Sequence, residues 1–207
     1  MLDVPGITDL HRLTVYRWHR QAEPDNPYSG FLGLVCGQHQ CNYLLWHEED
    51  LARDPTASDA QMAQVKRNID RLNQQRNDRI EQLDDALVAH LRAAGIDPPA
   101  TAKVNTETPG STIDRLSILA LRIYHMEEQA DRADAGESHR SKATARLSIL
   151  YEQHRDLSQS LAELWADLLA GAKRLKVYRQ FKMYNDPTLN PRVYNVVTPA
   201  PSGRDKA

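Results

Sequence analysis

The sequence predicts an all-α fold, a bundle of about five helices that are mostly antiparallel, followed by an irregular C-terminal tail. Apolar residues recur at steps of three and four through several long segments, which is the spacing of one helix face. No segment shows the alternation expected of a strand, and prolines and glycines cluster between the periodic segments. We therefore expect a single domain over residues 1–195 and a disordered tail over 196–207.

Helices are expected over residues 7–22, 31–53, 58–95, 111–132 and 141–171. Thr8 or Asp9 is the predicted cap of the first helix, Ser58 that of the third, and Ser111 or Thr112 that of the fourth. The second helix is apolar nearly all the way round, which is typical of a helix in the middle of a bundle. Residues 172–195 fit either a continued helix that ends before Pro187 or a loop that folds back on the bundle.

Composition excludes several classes of protein. The chain has 207 residues, of which 41% are hydrophobic and 26% charged, with a net charge of −2. Such a balance argues against nucleic acid as the main partner. The apolar runs are too short to span a bilayer and the first residues do not resemble a signal peptide, so we expect no membrane insertion and a cytoplasmic location. Cys36 and Cys41 are predicted to be free, buried thiols.

The third predicted helix contains one interruption of its apolar stripe. Arg76 falls in the middle of that stripe, with Asn73 beside it. An adjoining flank of the same helix carries the polar residues Asp70, Asn77, Glu81 and Asp84. Because a guanidinium keeps its proton, a buried Arg76 needs an anionic partner from the protein or from a ligand.

Two other helices also place polar groups among apolar ones. On the second helix these are Gln38, Asn42 and Glu49, flanked by Arg53, and on the fifth helix His154 lies between leucines. Buried polar groups need hydrogen bonds, so we expect these residues to meet in a network or to line a wet cavity. In the purely structural alternative, Glu49 neutralises Arg53 and Asp70 neutralises Arg76.

The fourth helix carries a polar arc that fits a solvated face, formed by Ser111, Asp114, Arg115, Arg122, His125 and Gln129. Within the arc, only Asp114 and Arg115 are candidate ligand contacts, because free backbone N–H groups at a helix start favour anions. No metal site and no cofactor are predicted. His47-x-x-Asp50 and His125-x-x-Glu128 run in the reverse order of the Glu-x-x-His pattern of carboxylate metal bundles, and there is no glycine-rich phosphate loop.

Four ordered segments read LLWHEEDLAR, KRNIDRLNQQRNDRIEQLD, TPGSTIDRLSILALRIYHMEE and FKMYNDPTLNP. Over residues 18–191 they resemble the bacterial domain-of-unknown-function family 4254. The resemblance implies a soluble bacterial protein with no assigned activity, from a family associated with sugar-transfer and envelope-polysaccharide genes. It also implies the following characteristic positions: Trp46, His47, Glu49, Arg53, Asp70, Asn73, Arg76, Asn77, Glu81, Asp114, Arg115, Asn185 and Asp186.

Two hypotheses follow from these patterns. In the first, a polar cleft in the bundle core binds a small anionic ligand, such as a sugar phosphate or nucleotide sugar. Its predicted ligand-binding residues are Asn42, Glu49, Arg53, Asp70, Asn73, Arg76, Asn77, Glu81, Asp114, Arg115 and His154. Whether the protein is an enzyme stays open, with Glu49 or Asp70 as the candidate general base. In the second, the protein is a scaffold that meets a protein partner or a second copy of itself, and the polar network is structural.

Overall fold

The predicted all-α bundle is confirmed by a computed structural model, which describes residues 2–181, 183 and 186–192. The helices of these residues are α1 Val4–Trp18, α2 Gly30–Leu51, α3 Asp59–Ala93, α4 Pro109–Asp131 and α5 Glu137–Leu169. Two short parallel strands, β1 Lys103–Val104 and β2 Lys173–Arg174, pair with each other. No helix of the described residues has both the length and the hydropathy that crossing a membrane requires.

Capping residues explain where the helices begin. Ser58 and Gln61 form a reciprocal capping box at α3, as the predicted cap requires. At α4 the predicted caps Ser111 and Thr112 are wrong, because the Thr108 hydroxyl accepts the Ser111 N–H at 3.2 Å and Pro109 occupies the first turn.

The first residues of α1 and α5 also differ from the predicted ones. Helix α1 begins at Val4 because Pro5 fits a first helical turn, so neither Thr8 nor Asp9 is its cap. Helix α5 begins four residues earlier than expected, at Glu137. Of the two alternatives for residues 172–195, a continued helix is wrong for the part directly after α5, because 173–174 form β2 and 175–181 form neither helix nor strand.

By inter-residue contacts the chain divides into Met1–Val177, which contains all five helices, and Tyr178–Ala207. The extension of one domain to residue 195 stays a prediction. The tail 196–207 lies outside the described residues, so the expectation of disorder there also stays a prediction. Asn185, one of the characteristic family positions, lies outside them as well.

Helix α4 lies at the centre of the bundle, because it contacts each of the other four helices. Ile113, Leu116 and Leu121 of α4 are fully buried in the apolar core. Helix α2, predicted to be central, contacts α1, α3 and α4. Both cysteines are free and buried, as predicted. The polar arc of α4 is not uniformly solvated, because its member Asp114 is buried. Ser117 on the same helix is buried too.

The start of α4 approaches α3 so closely that only glycine fits at position 110. The Gly110 N–H donates to the Asp84 carboxylate at 2.7 Å. A Cβ atom at Gly110 would lie 2.7 Å from the Ile80 carbonyl oxygen and 2.8 Å from the Asp84 carboxylate. Any side chain there would have to push α4 away from α3.

We expect Gly110→Ala to lower the free energy of unfolding by about 2 kcal/mol, because the added methyl group overpacks a backbone contact. Gly37→Ala is the matched control, because Gly37 lies inside α2. Its Cβ would lie 3.5 Å from the guanidinium carbon of Arg79 on α3, which is an ordinary van der Waals contact. Alanine favours the helix by about 1 kcal/mol over glycine, so the control should be neutral or stabilising. Urea denaturation of both variants measures the difference, and equal effects would contradict the close approach.

Candidate functional site

The polar centre of the bundle is the carboxylate of Asp114, in the second turn of α4. It accepts hydrogen bonds from Gln38 Nε2 at 2.6 Å and Asn42 Nδ2 at 2.9 Å, both on α2. From α3, Arg76 donates through Nε at 2.7 Å and forms an ion pair through Nη2. This two-point contact fixes the plane of the guanidinium. Three helices thus meet at one carboxylate.

Arg76 therefore has the anionic partner that its place in the apolar stripe requires, but the partner differs from the one in the structural alternative. Asp70 does not neutralise Arg76; it pairs with Lys66 on the same helix. The other expected pair is present, with Arg53 Nη1 and Glu49 Oε2 at 2.8 Å. Neighbours four residues apart on one helix meet readily, whereas Arg76 reaches across to another helix.

Hydrogen bonds continue from Asp114 toward α1. Asn42 Nδ2 donates to Ser117 Oγ at 2.9 Å, and that oxygen lies 2.6 Å from His39 Nδ1. His39 Nε2 lies 3.2 Å from the His11 carbonyl oxygen, with the two imidazole rings 4.6 Å apart. Ser117, His39 and His11 are not among the site residues that the sequence predicts. Ser117 follows Asp114 by three residues, so the shared helix face was the available signal.

Burial controls protonation in this network. It lowers the pKa of His39 to about 3 and places that of His11 well below its ordinary value, with the neighbouring His39 as a second cause for His11. The hydrogen bonds that Arg76 donates to Asp114 raise the pKa of Arg76, because they stabilise the charged guanidinium. At neutral pH both histidines are uncharged and Arg76 is charged.

The solvent side of Arg76 opens into a cleft of about 530 Å³ between α2, α3 and α4, here called the arginine cleft. Five of the predicted ligand-binding residues line it: Asn42, Glu49, Arg53, Asn73 and Arg76. Trp46 and Arg122 line it as well. Trp46 stacks on His125, with ring centroids 4.5 Å apart and an angle of 8° between the planes.

The remaining predicted residues lie elsewhere. Asp114 lies behind Arg76, with its side chain 6% exposed. Arg115 pairs with Glu107 at 2.6 Å and lines a groove between α4 and α5. His154 lines a separate cavity of about 180 Å³ beside α1 and α4 and does not line the arginine cleft, so its place in the same polar centre stays a prediction. Asp70, Asn77 and Glu81 are half-buried but do not line the arginine cleft.

Comparison with known proteins identifies the family. A family described as protein of unknown function (DUF4254) matches residues 32–177. The chain belongs to this family. The match contains every residue of the arginine cleft and its buried network except His11, and it confirms the family expected from the sequence. No curated protein and no solved structure matches the chain.

The arginine cleft of this DUF4254 protein exposes two guanidinium groups to solvent. The Arg76 side chain is 27% exposed, and among the described residues its Nη1 has no hydrogen-bond partner. Arg122 is exposed and has no ion-pair partner in the described ranges. No three His, Cys, Asp or Glu side chains of the described residues are grouped so that they could hold a metal ion.

Removal of the central carboxylate should be costly. We expect Asp114→Ala to lower the free energy of unfolding by about 3 kcal/mol, because it leaves Arg76 without its partner and removes the acceptor of Gln38 and Asn42. Asp134→Ala is the matched control, because Asp134 pairs with Arg132 at 2.9 Å on the surface. Its loss should cost far less, because solvent screens an exposed ion pair. Chemical denaturation of both variants tests the comparison, and similar losses would refute the central role of Asp114.

Acidification should destabilise this DUF4254 protein through His39. An unfolded histidine binds a proton near pH 6.5, whereas folded His39 stays neutral to about pH 3. Below pH 6.5 the unfolded chain therefore binds more protons, and the free energy of unfolding falls by up to about 1.4 kcal/mol per pH unit for this proton. We expect His39→Gln to give a shallower loss between pH 7.5 and pH 5 in urea titrations.

Protonation of Asp84 changes the free energy of unfolding in the opposite direction over part of this pH range. Burial raises its pKa to about 6, so the folded chain binds the extra proton between about pH 4 and pH 6 and gains stability there. Comparing wild type with His39→Gln at each pH cancels this contribution. Identical pH slopes for the two proteins would show that His39 is not the titrating group.

Proposed function

We propose that this protein binds a small phosphorylated ligand, a sugar phosphate or nucleotide sugar, in the arginine cleft. The observation that carries the proposal is the held guanidinium of Arg76. Asp114 occupies Nε and Nη2, which leaves Nη1 directed away from the ion pair at the edge of the cleft. A guanidinium with a fixed plane loses little freedom when it binds a phosphate oxygen, so it is well suited to anion recognition.

Arg122 is the second proposed anion contact. Arg53 also lines the cleft, but its charge is shared with Glu49. Arg122 has no ion-pair partner among the described residues and is exposed at the cleft, so its full charge is available to a ligand. Asn73 is half-buried in the same cleft and supplies an amide that can donate to or accept from a ligand hydroxyl.

We propose binding and assign no reaction. Glu49 and Asp70 are the candidate general bases, but Glu49 binds Arg53 and Asp70 binds Lys66. The free thiols of Cys36 and Cys41 support a cytoplasmic site of action. The association of the family with envelope-polysaccharide genes supports a role in that metabolism, as the sequence resemblance implies.

A second function is supported by the number of hydrogen bonds that the buried Asp114 carboxylate accepts. The Asp114 carboxylate accepts four hydrogen bonds, one each from Gln38 and Asn42 and two from Arg76, as expected of a network that fixes helix register. In this alternative the protein is a non-enzymatic scaffold with a protein partner or a second copy, and Arg76 serves only the fold. The two functions differ in whether a small anion stabilises the protein.

The test is a thermal-shift titration with inorganic phosphate, glucose 1-phosphate and UDP-glucose. We expect at least one probe to raise the Tm of the wild type, because a ligand at 100 times its Kd stabilises the folded state by about 2.7 kcal/mol. Arg122→Gln should weaken binding by about tenfold or more, since one charge-assisted hydrogen bond contributes about 1.5–3 kcal/mol. Arg67→Gln removes an exposed arginine outside the cleft and should leave binding unchanged.

Two results would favour the scaffold. The first is the absence of any Tm shift across the three probes. The second is a Tm shift that is the same in Arg122→Gln as in the wild type, because the probe would then bind outside the arginine cleft.

A further inference from the structure

A second depression lies between α4 and α5 and shares two lining residues with the arginine cleft. This groove between α4 and α5 has a volume of about 720 Å³ and is here called the α4–α5 groove. Ile118 and Arg122, one helical turn apart on α4, line both the groove and the arginine cleft. Arg122 therefore borders both depressions, so a ligand held by its guanidinium can extend into either.

The α4–α5 groove combines apolar side chains with polar ones that have no hydrogen-bond partner among the described residues. Ile118, Leu157 and Leu164 supply apolar lining. Gln153, Asp156 and Ser160 line it from α5, and their side chains make no hydrogen bond to another described residue. These three follow each other at steps of three and four, so they share one face of the helix.

This combination fits a sugar ring. A pyranose has an apolar face of C–H groups and an edge of hydroxyl groups, so it can pack on aliphatic side chains while polar groups read its hydroxyls. The Asp156 carboxylate can accept two hydroxyl hydrogen bonds, and the Gln153 amide can both donate and accept. The groove is far larger than a phosphate group needs and lies within the range of small-molecule sites.

Charge decides which depression takes the neutral part of the ligand. The arginine cleft carries Glu49 and Asp50 together with its arginines. Both depressions share Arg122, and the arginine cleft adds Arg53 and Arg76. In the α4–α5 groove, Arg115 is instead paired with Glu107 at 2.6 Å, and Asp156 is an acid without an ion-pair partner among the described residues. A second anionic group would be repelled by that carboxylate, whereas a hydroxyl group would be bound by it.

We propose that the ligand is a glycosyl phosphate, a sugar joined to a phosphate, whose sugar lies in the α4–α5 groove. Its phosphate binds Arg76 and Arg122 in the arginine cleft, so this inference rests on the proposed function. Asp156 determines specificity for the sugar by accepting its hydroxyls. The glycosyl phosphate can be a sugar monophosphate or the corresponding part of a nucleoside diphosphate sugar, since both present the same sugar and adjoining phosphate.

Isothermal titration of the full chain tests this assignment. The probes are inorganic phosphate, the 1-phosphates of glucose, galactose, mannose and N-acetylglucosamine, and UDP-glucose with UDP as its sugar-free match. We expect at least one sugar-bearing probe to bind tenfold or more tightly than its match. A sugar 1-phosphate compared with phosphate, and UDP-glucose compared with UDP, distinguish the two sources of the glycosyl phosphate.

Asp156→Asn should remove most of that advantage while leaving the affinity for phosphate or UDP unchanged. Glu152→Gln is the matched control, because Glu152 is an exposed acid on the same helix that does not line the groove, and it should change neither affinity. Asp156 is exposed, so its substitution should not impair folding, which the unchanged Tm of the free variant would verify.

The inference is overturned if no sugar-bearing probe binds more tightly than its match, or if Asp156→Asn leaves the advantage intact. The proposed function survives either result as long as phosphate or UDP binds and Arg122→Gln weakens that binding. If phosphate, UDP and every sugar-bearing probe fail to bind, the proposed function fails together with this inference.

Discussion

The ion pair between Arg76 and Asp114 is the constraint on which the arrangement of α2, α3 and α4 depends. A guanidinium cannot be neutralised by loss of its proton, and a carboxylate that is 6% exposed pays a large desolvation cost unless it is paired. Each charge therefore requires the other. Gln38 and Asn42 complete the coordination from α2, so a shift of any of the three helices by one residue would leave a buried polar group without its partner.

The close approach at Gly110 strengthens the same constraint. Gly110 lies one turn before Asp114 on α4, and its N–H is held by Asp84 of α3. Two contacts between α3 and α4 are thus fixed within one turn, one between backbone and carboxylate and one between two side chains. The contact at Gly110 requires that this position has no side chain. The contact at Asp114 requires a long side chain on α3, which Arg76 supplies. Together they position the Arg76 guanidinium before any ligand is present, which lowers the entropic cost of binding.

The sequence predicted the number of helices and the need of Arg76 for an anion, but it did not predict the anion. Apolar periodicity reports burial, and burial is what stabilises these helices, so their number could be read directly. Asp70 is close to Arg76 along the chain, whereas Asp114 lies 38 residues away on another helix. Choosing between them requires the rotation and register of two packed helices, which periodicity does not contain.

The same reason explains the outcome for two residues of α5. His154 lies among the leucines of its helix, so its inward position was predictable, but it faces the cavity beside α1 and not the arginine cleft. Asp156 is only two residues further along and lines the α4–α5 groove. A rotation of about 200° between these positions separates the two surfaces of one helix. The helix face could be assigned from sequence, while the neighbour that each face meets could not.

Two arginines of the arginine cleft are paired with acids of the protein, which limits how much affinity a ligand can gain from charge alone. Arg76 is balanced by Asp114 and Arg53 by Glu49, so among the arginines of the cleft Arg122 is the one without an ion-pair partner in the described part of the chain. One exposed guanidinium attracts a phosphate only modestly in water, because solvent screens the charge. A ligand that is bound tightly must therefore gain additional free energy from its uncharged part. That requirement gives the α4–α5 groove its importance, since apolar lining and unpaired polar groups lie next to the same arginine.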